Sequence, residues 1–214
     1  MPTINVIGTV GAGKTTLTER LHQFTNLPVG YEGQSKVLDD TTRKLLQRYY
    51  QNREAVALEK NQYFLQQRAK TIQQNALQSQ FISDRFLYDD YLLAMLNVKN
   101  NEMTPSQWLT YQQAFRSVEK SLAESHPLSN DILVYVKPSF ETALQNIAQR
   151  GRQEEQIDNN PDLKTYYETM YQLYNQFYDN WQKSPKIMVP SAKDADLQTL
   201  INQIKALQPA FKNL

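Results

Sequence analysis

Apolar residues occur along this chain in two alternating patterns, short continuous runs and positions repeating every three to four. The short runs predict five buried strands, at residues 3–7, 29–32, 81–83, 132–136 and 186–189. The helical spacing predicts eight helices, at residues 14–24, 35–50, 54–77, 87–98, 105–124, 140–149, 161–181 and 194–207. Strand and helix alternate without a linker or an internal repeat. We therefore expect one α/β domain over residues 1–214, a five-stranded parallel sheet flanked by helices on both faces.

Composition narrows the class of protein. The 23 Lys and Arg residues nearly balance the 22 Asp and Glu residues, which argues against a nucleic-acid partner. The absence of cysteine excludes disulfides, thiolate metal sites and cysteine nucleophiles. No apolar run approaches the roughly 18 residues of a membrane span, and the first residues do not resemble a signal peptide. A cytoplasmic enzyme or binding protein, without a membrane partner, is the expectation.

A glycine-rich segment is the first strong functional signal. Residues 8–15 fit the pattern G-x-x-x-x-G-K-T between a predicted strand and a predicted helix. Glycines let the backbone wrap a phosphate, so that successive N–H groups and the helix N-terminus point at it. Lys14 would supply charge to the β- and γ-phosphates, and the Thr15 hydroxyl would ligate Mg²⁺. The predicted phosphate-binding residues are Gly8, Gly11, Ala12, Gly13, Lys14, Thr15 and Thr16, as in a P-loop nucleotide kinase.

Charged residues at other strand ends indicate what accepts the phosphate. Glu32 lies at the end of the second predicted strand, and Asp84 with Arg85 lies just past the third. Because parallel strands share their carboxyl edge, these side chains are expected beside the phosphate loop. One carboxylate there can take a proton from a hydroxyl, and a second can hold hydrated Mg²⁺. Arg150 and Arg152, in a polar segment at about 150–160, could close over the transferring phosphate as a lid.

Two alternatives remain open at this point, since a phosphate loop gives nucleotide binding and not the reaction. A nucleotide-dependent switch protein is disfavoured because the Asn-Lys-x-Asp and Asp-x-x-Gly strings of GTPases are missing. A nucleoside monophosphate kinase similar to thymidylate kinase must hold an acceptor phosphate. Four arginines are available for that purpose: Arg43, Arg48, Arg53 and Arg68. Glu32 favours a neutral hydroxyl acceptor, because a carboxylate repels an incoming phosphate.

With these motifs the sequence resembles the deoxyribonucleoside kinase family, most closely its bacterial deoxyadenosine/deoxyguanosine kinase branch. The resemblance covers nearly the whole chain. It is carried by the phosphate loop, Tyr31-Glu32, Asp84-Arg85-Phe86-Leu87-Tyr88, Arg150-Gly151-Arg152 and the tyrosine-rich helix after Pro161. It implies ATP- and Mg²⁺-dependent phosphorylation of the 5′-hydroxyl of a deoxynucleoside in nucleotide salvage.

The resemblance also implies roles for catalytic residues. Glu32 looks like the general base for the 5′-hydroxyl, and Arg85 looks like the neighbour that holds the hydroxyl and the phosphates. Asp84 looks like the carboxylate on the magnesium side, together with Thr15. Arg150 and Arg152 look like the lid arginines.

For the acceptor, Tyr50 and Glu155 match the pair that holds the sugar 3′-hydroxyl. Asn61 and Asp90 match positions that face the base. An Asn amide pairs well with adenine, and an ionised Asp accepts from the exocyclic amine of adenine or cytosine. We therefore expect deoxyadenosine and deoxycytidine ahead of thymidine. The resemblance to the purine branch implies that deoxyguanosine is also accepted, through a protonated Asp90.

Aromatic residues in the last third of the chain leave the oligomeric state open. Their helical spacing predicts core packing or a dimer interface, at Tyr167, Tyr171, Tyr174, Phe177, Tyr178 and Trp181. Because members of the family pair through helices, the resemblance implies a homodimer or a heterodimer with a paralogue.

Overall fold

Strands and helices alternate along the residues that the computed structural model describes, 2–31, 39–75, 80–124 and 126–214. The strands are β1 (Thr3–Ile7), β2 (Val29–Gly30), β3 (Phe81–Asp84), β4 (Ile132–Val136) and β5 (Lys186–Val189). The α-helices are α1 (Lys14–Thr25), α2 (Asp40–Gln51), α3 (Arg53–Asn75), α4 (Leu87–Lys99), α5 (Pro105–Ala123), α6 (Phe140–Arg150), α7 (Asp162–Asn180) and α8 (Leu197–Leu207). Short 3₁₀ turns at Gln153–Glu155 and Ile157–Asn159 join α6 to α7.

The five strands form one sheet in the order β2-β3-β1-β4-β5, and every neighbouring pair is parallel. This confirms the predicted α/β fold. All residues of β1 and β4 are buried, as expected of apolar strands covered on both faces. In the register, Val6 of β1 lies opposite Asp84 of β3 and Val134 of β4. The carboxyl ends of these three strands therefore lie together at one edge.

Alternate residues along the strands belong to two separate apolar cores. Ile4 and Val6 of β1 pack with α1 and α8, whereas Ile7 packs with α3, α4, α5 and α7. The period of two is that of side chains pointing to opposite faces of a sheet. Tyr174 of α7 and Trp181, directly after α7, are buried in the same core as Ile7, so this part of the aromatic stripe is core packing.

Capping aspartates set helix starts that differ from the predicted ones. Helix α2 begins at Asp40 because Asp39 is extended and its Oδ1 accepts a hydrogen bond from the Thr42 N–H at 2.7 Å. Helix α8 begins at Leu197, three residues later than predicted, because the Asp196 side chain accepts from the Gln198 N–H. Residues 35–38 and 76–77 of the predicted helices lie outside the described residues.

Two strands also end at residues that differ from the predicted ones. The second strand is limited to Val29–Gly30, whose pairing with β3 stops opposite Ser83. Asp84 is the last residue of β3, rather than the first residue beyond it, since it still pairs with β1. None of the described helices is long and apolar enough to cross a membrane.

Candidate active site

The glycine-rich segment forms a loop between β1 and α1 that packs against α6. Gly11 and Gly13 have φ angles of 77° and 93°, in the left-handed region that favours glycine. A Cβ on Gly11 would lie 2.3 Å from the main-chain oxygen of Ala143. The Asn146 side-chain amide donates to the Gly11 carbonyl at 2.8 Å. Conformation and contact together require glycine at this position.

Lys14 lies at the first turn of α1 and is almost fully buried. Its Nζ donates to the carbonyl oxygens of Gly8 and Thr9, each at 2.8 Å. These bonds hold the ammonium against the loop, next to the N–H groups at the start of α1. Positive charge and backbone donors are therefore concentrated where a phosphate would bind.

Thr15 and Asp84 meet across the sheet edge. The Thr15 hydroxyl donates to Asp84 Oδ2 at 2.7 Å, and Asp84 is 5% exposed. Hydroxyl and carboxylate oxygens are the donors that Mg²⁺ prefers. Among the described residues no group of three or more His, Cys, Asp or Glu side chains could hold a metal. A Thr hydroxyl in contact with an Asp carboxylate fits a Mg²⁺ ion, which usually keeps several waters and binds substrate phosphates.

Arg85 occupies a backbone conformation that is unusual for a side-chain-bearing residue. Its φ is 79°, and its N–H donates to the Val6 carbonyl at 3.0 Å. The Ser83 hydroxyl donates to the Arg85 carbonyl at 2.5 Å. These bonds hold a strained turn directly after Asp84, and such strain concentrates at functional sites.

Asp89 organises the start of α4 and was not identified from the sequence. Its Oδ2 accepts from the Phe86 N–H and its Oδ1 from the Tyr174 hydroxyl, each at 2.7 Å. Burial raises the pKa of the Asp89 carboxyl, while the charges of Arg85 and Lys14 oppose that rise. The sequence did contain a signal for this role. Asp89 is an acidic residue at the third position of a helix, three residues after Phe86, where a side chain can cap the helix start.

The two arginines predicted to form a lid share one carboxylate. Arg152 Nη1 lies 3.2 Å from Glu155 Oε1, and Arg150 Nη2 donates to Glu155 Oε2. Glu155 is 7% exposed, and the Tyr167 hydroxyl donates to its main-chain oxygen at 3.0 Å. The residue predicted to hold the sugar is thus joined to the predicted lid arginines, and the three side chains form one ion-paired unit.

Most of the predicted site residues line a single cavity of about 840 Å³. Those on its wall are Gly11, Ala12, Gly13, Lys14, Thr15, Thr16, Tyr50, Asn61, Asp84, Arg85, Asp90, Arg150, Arg152 and Glu155. Gly8 holds Lys14 without being on the wall. Glu32, the predicted general base, lies outside the described residues. The volume is within the range of small-molecule sites, and we call this cavity the cleft.

At its inner end the cleft wall includes Asp90, which belongs to a buried ion pair. Arg68 Nε lies 3.3 Å from Asp90 Oδ2, and both side chains are 2% exposed. The Asn61 amide nitrogen donates to the sulfur of Met103 at 3.3 Å. Both predicted base-facing residues are therefore positioned by a neighbour, and Arg68 supports Asp90 from behind the cleft wall.

All four arginines considered for an acceptor phosphate pair with carboxylates. The pairs are Arg43–Asp40 at 2.8 Å, Arg48–Glu59 at 2.7 Å, Arg53–Glu102 at 3.0 Å and Arg68–Asp90 at 3.3 Å. Their charges are compensated within the chain.

A second polar cluster, also unidentified from the sequence, forms one side of the cleft around Tyr49. The Tyr49 hydroxyl donates to Glu102 at 3.1 Å, and Asn97 donates to both groups at 2.8 Å. Lys60 Nζ lies 4.1 Å from the centre of the Tyr49 ring. Arg53 and Lys60 are seven residues apart on α3, a spacing that places them on one helix face and could have indicated the cluster.

A parallel sheet with a phosphate loop at its edge and an acceptor-sized cleft beside it defines a P-loop nucleotide kinase. The family model for deoxynucleoside kinase matches residues 4–213. The chain belongs to the deoxynucleoside kinase family. It is 30% identical over 198 residues to the deoxyadenosine kinase of Lactobacillus acidophilus, covering 92% of this chain and 89% of the relative. It is 29% identical over 212 residues to the deoxyguanosine kinase of Lactobacillus johnsonii, covering 96% and 92%.

A solved structure agrees with this assignment. The deoxyadenosine kinase from M. mycoides with bound dATP is 26% identical, with a TM-score of 0.73 over 96% of this chain and 98% of that one. The resemblance inferred from the motifs is confirmed. The chain is an enzyme that phosphorylates a deoxynucleoside with ATP, and the monophosphate kinase and switch alternatives are not supported.

Proposed function

We propose that this enzyme transfers the γ-phosphate of ATP to the 5′-hydroxyl of a purine deoxynucleoside or deoxycytidine, in nucleotide salvage. The observation that carries the proposal is the cleft, which runs from the phosphate loop to the buried pair Arg68–Asp90. The end at the phosphate loop matches the triphosphate of ATP. The other end matches a base, because polar donors and acceptors are buried at that end. The relatives named for deoxyadenosine and deoxyguanosine support a purine.

At the phosphate end, the N–H groups of the loop and the Lys14 ammonium bind the phosphates of ATP. Thr15 and Asp84 would hold Mg²⁺, which when bound neutralises charge on those phosphates. Arg150 and Arg152 close over the transferring group and stabilise the charge that develops on it. Their shared contact with Glu155 keeps both guanidinium groups at the edge of the cleft.

At the acceptor end, Glu32 takes the proton of the 5′-hydroxyl, and Arg85 holds that hydroxyl beside the phosphate. Tyr50 and Glu155 bind the sugar 3′-hydroxyl, and both line the cleft. Asp90 accepts from an exocyclic amine of the base, while Asn61 contributes a donor and Arg68 holds the Asp90 carboxylate. A neutral acceptor fits this end, because the Glu32 carboxylate placed at the acceptor hydroxyl would repel a phosphate.

The remaining parts of the proposal concern organisation. We propose one domain over residues 1–214, in which residues at about 150–160 act as the lid. From the family relationship we propose a homodimer or a heterodimer with a paralogue, which analytical ultracentrifugation tests. A cytoplasmic location follows from the use of ATP as the phosphate donor.

The experiment measures ADP release with ATP, Mg²⁺ and a panel of deoxynucleosides and their monophosphates. We expect deoxynucleosides to stimulate ADP release and monophosphates to have no effect. Lys14→Ala should abolish the stimulated rate, whereas Lys44→Ala, at an exposed position on α2, should retain it. Stimulation by monophosphates alone would contradict the proposal.

A further inference from the structure

Lys60 is a buried lysine in the wall of the cleft. It lies on α3, is 6% exposed, and has its Nζ 4.1 Å from the centre of the Tyr49 ring. The two carboxylates whose charges act on it are already paired, Asp90 with Arg68 and Glu102 with Arg53. Among the described residues, Lys60 itself forms no ion pair and no hydrogen bond.

A buried ammonium in this position is incompletely satisfied. An ammonium has three N–H donors and no acceptor. One aromatic ring face attracts its positive charge but does not accept a hydrogen bond from each of the three N–H groups. Burial lowers the pKa of Lys60 to about 8. The carboxylates of Glu102 and Asp90 oppose this effect, and the guanidinium groups of Arg53 and Arg85 add to it. Near pH 7 the side chain is therefore still mainly charged and available to a ligand acceptor.

The charges around Lys60 define the chemistry of that ligand. The pairs Arg68–Asp90 and Arg53–Glu102 are each neutral overall, so Lys60 leaves this end of the cleft with a positive charge. In the proposed function this end receives the base. A base that presents oxygen or nitrogen lone pairs to Lys60 gains hydrogen bonds, and one that presents an amino group meets a second donor.

Guanine and adenine differ in this respect at position 6. Guanine has O6 beside N7, two adjacent acceptors that lysine and arginine side chains commonly contact. Adenine has an amino group beside N7, so its donor would face the ammonium. Guanine also keeps N–H donors at N1 and N2, which suit the Asp90 carboxylate. Both charged groups are satisfied by a 6-oxopurine.

We propose that Lys60 is a specificity-determining residue that selects 6-oxopurine deoxynucleosides over 6-aminopurine deoxynucleosides. This inference rests on the proposed function, since it requires that the base occupies the inner end of the cleft. It ranks deoxyguanosine and deoxyinosine first among the purines. The base order expected from Asn61 and Asp90 alone admitted deoxyguanosine only with a protonated Asp90, and Lys60 removes that condition.

The experiment compares kcat/KM for four substrates that vary positions 2 and 6 independently. These are deoxyguanosine, deoxyinosine, deoxyadenosine and the deoxyriboside of 2,6-diaminopurine. In Lys60→Met we expect kcat/KM for the two 6-oxo substrates to fall roughly 5- to 150-fold, the effect of one lost base contact. The two 6-amino substrates should change little, and so should the KM for ATP.

Two further measurements separate base reading from a structural role. Lys70→Met, at an exposed position on the same helix, should leave all four values unchanged. In the wild type the ratio of deoxyguanosine to deoxyadenosine turnover should fall between pH 7 and 9 as the lysine loses its charge, while Lys60→Met shows a flat ratio. Lys60→Gln provides a second uncharged variant, whose ratio should also be flat.

Three results would overturn the inference. One is an unchanged ratio in both Lys60 variants, and another is a ratio that does not vary with pH in the wild type. The third is a diaminopurine substrate that behaves like deoxyguanosine, which would assign recognition to position 2. If the wild type phosphorylates no deoxynucleoside, the proposed function fails; if it phosphorylates them with a ratio independent of Lys60, only this inference fails.

Discussion

Removing Arg68 should destabilise the protein far more than removing an exposed arginine of similar geometry. The Arg68 and Asp90 side chains are each 2% exposed and lie 3.3 Å apart, and Arg68 also donates to the Asp84 carbonyl at 3.2 Å. In Arg68→Met the Asp90 carboxylate is left buried without its guanidinium. Breaking a buried ion pair from one side costs about 3–5 kcal/mol, and we expect a loss of that size in the free energy of unfolding.

The chain offers a matched control in the pair Arg48–Glu59. Its N–O distance is shorter, 2.7 Å, but its side chains are 56% and 52% exposed. An exposed pair contributes about 0.2–1 kcal/mol, so Arg48→Met should lose no more than that. Urea unfolding at pH 7, followed by circular dichroism, measures both variants. The double variant Arg68→Met/Asp90→Asn should recover part of the loss, because no unpaired charge remains. Equal losses in the two single variants, or strict additivity in the double variant, would refute the reasoning.

Three other predictions concern catalysis and pH. Glu32→Gln should retain ATP affinity and lose roughly 10²- to 10⁴-fold in turnover, as for a general base, and near-normal turnover would reassign the residue. Arg152→Ala should lower kcat more than it weakens nucleoside binding, because its charge meets the transition state; a change in KM alone would contradict this. Burial lowers the pKa of Lys60 to about 8, so above that pH the unfolded chain binds more protons than the folded one. Relative to Lys60→Met, the wild-type free energy of unfolding should therefore rise by about 1 kcal/mol from pH 7 to 9, and a constant difference in urea unfolding would count against a charged buried lysine.

The order of strands and helices could be predicted because it depends on local patterns. Strands buried on both faces appear as continuous apolar runs, and the phosphate loop is encoded within eight consecutive residues. Apolar periodicity does not register a capping side chain, so the helix predicted over 35–50 wrongly included Asp39, and the helix predicted over 194–207 began three residues early. Asp39 and Asp196 each set the first residue of the helix that follows, by accepting a hydrogen bond from a backbone N–H of its first turn.

The partners of the site residues could not be predicted, since they depend on packing between distant segments. Asp90 meets Arg68 only when α4 packs against α3, and Glu155 is paired with both lid arginines in a turn without regular periodicity. Lys60 lies between Glu59 and Asn61 in a polar stretch typical of a solvated helix surface. Its burial follows from the packing of α3 against neighbouring helices, among them α2, whose Tyr49 ring lies next to the Lys60 ammonium.

The most direct test of 5′-phosphorylation is to identify where the phosphate goes. ATP labelled in the γ-phosphate is incubated with the enzyme, Mg²⁺ and either deoxyguanosine or 2′,5′-dideoxyguanosine, which lacks the 5′-hydroxyl. We predict labelled 5′-monophosphate from deoxyguanosine and no labelled nucleoside product from the dideoxy compound. A labelled 3′-phosphate, or equal labelling of the two compounds, would contradict the assignment of the cleft to a 5′-hydroxyl acceptor.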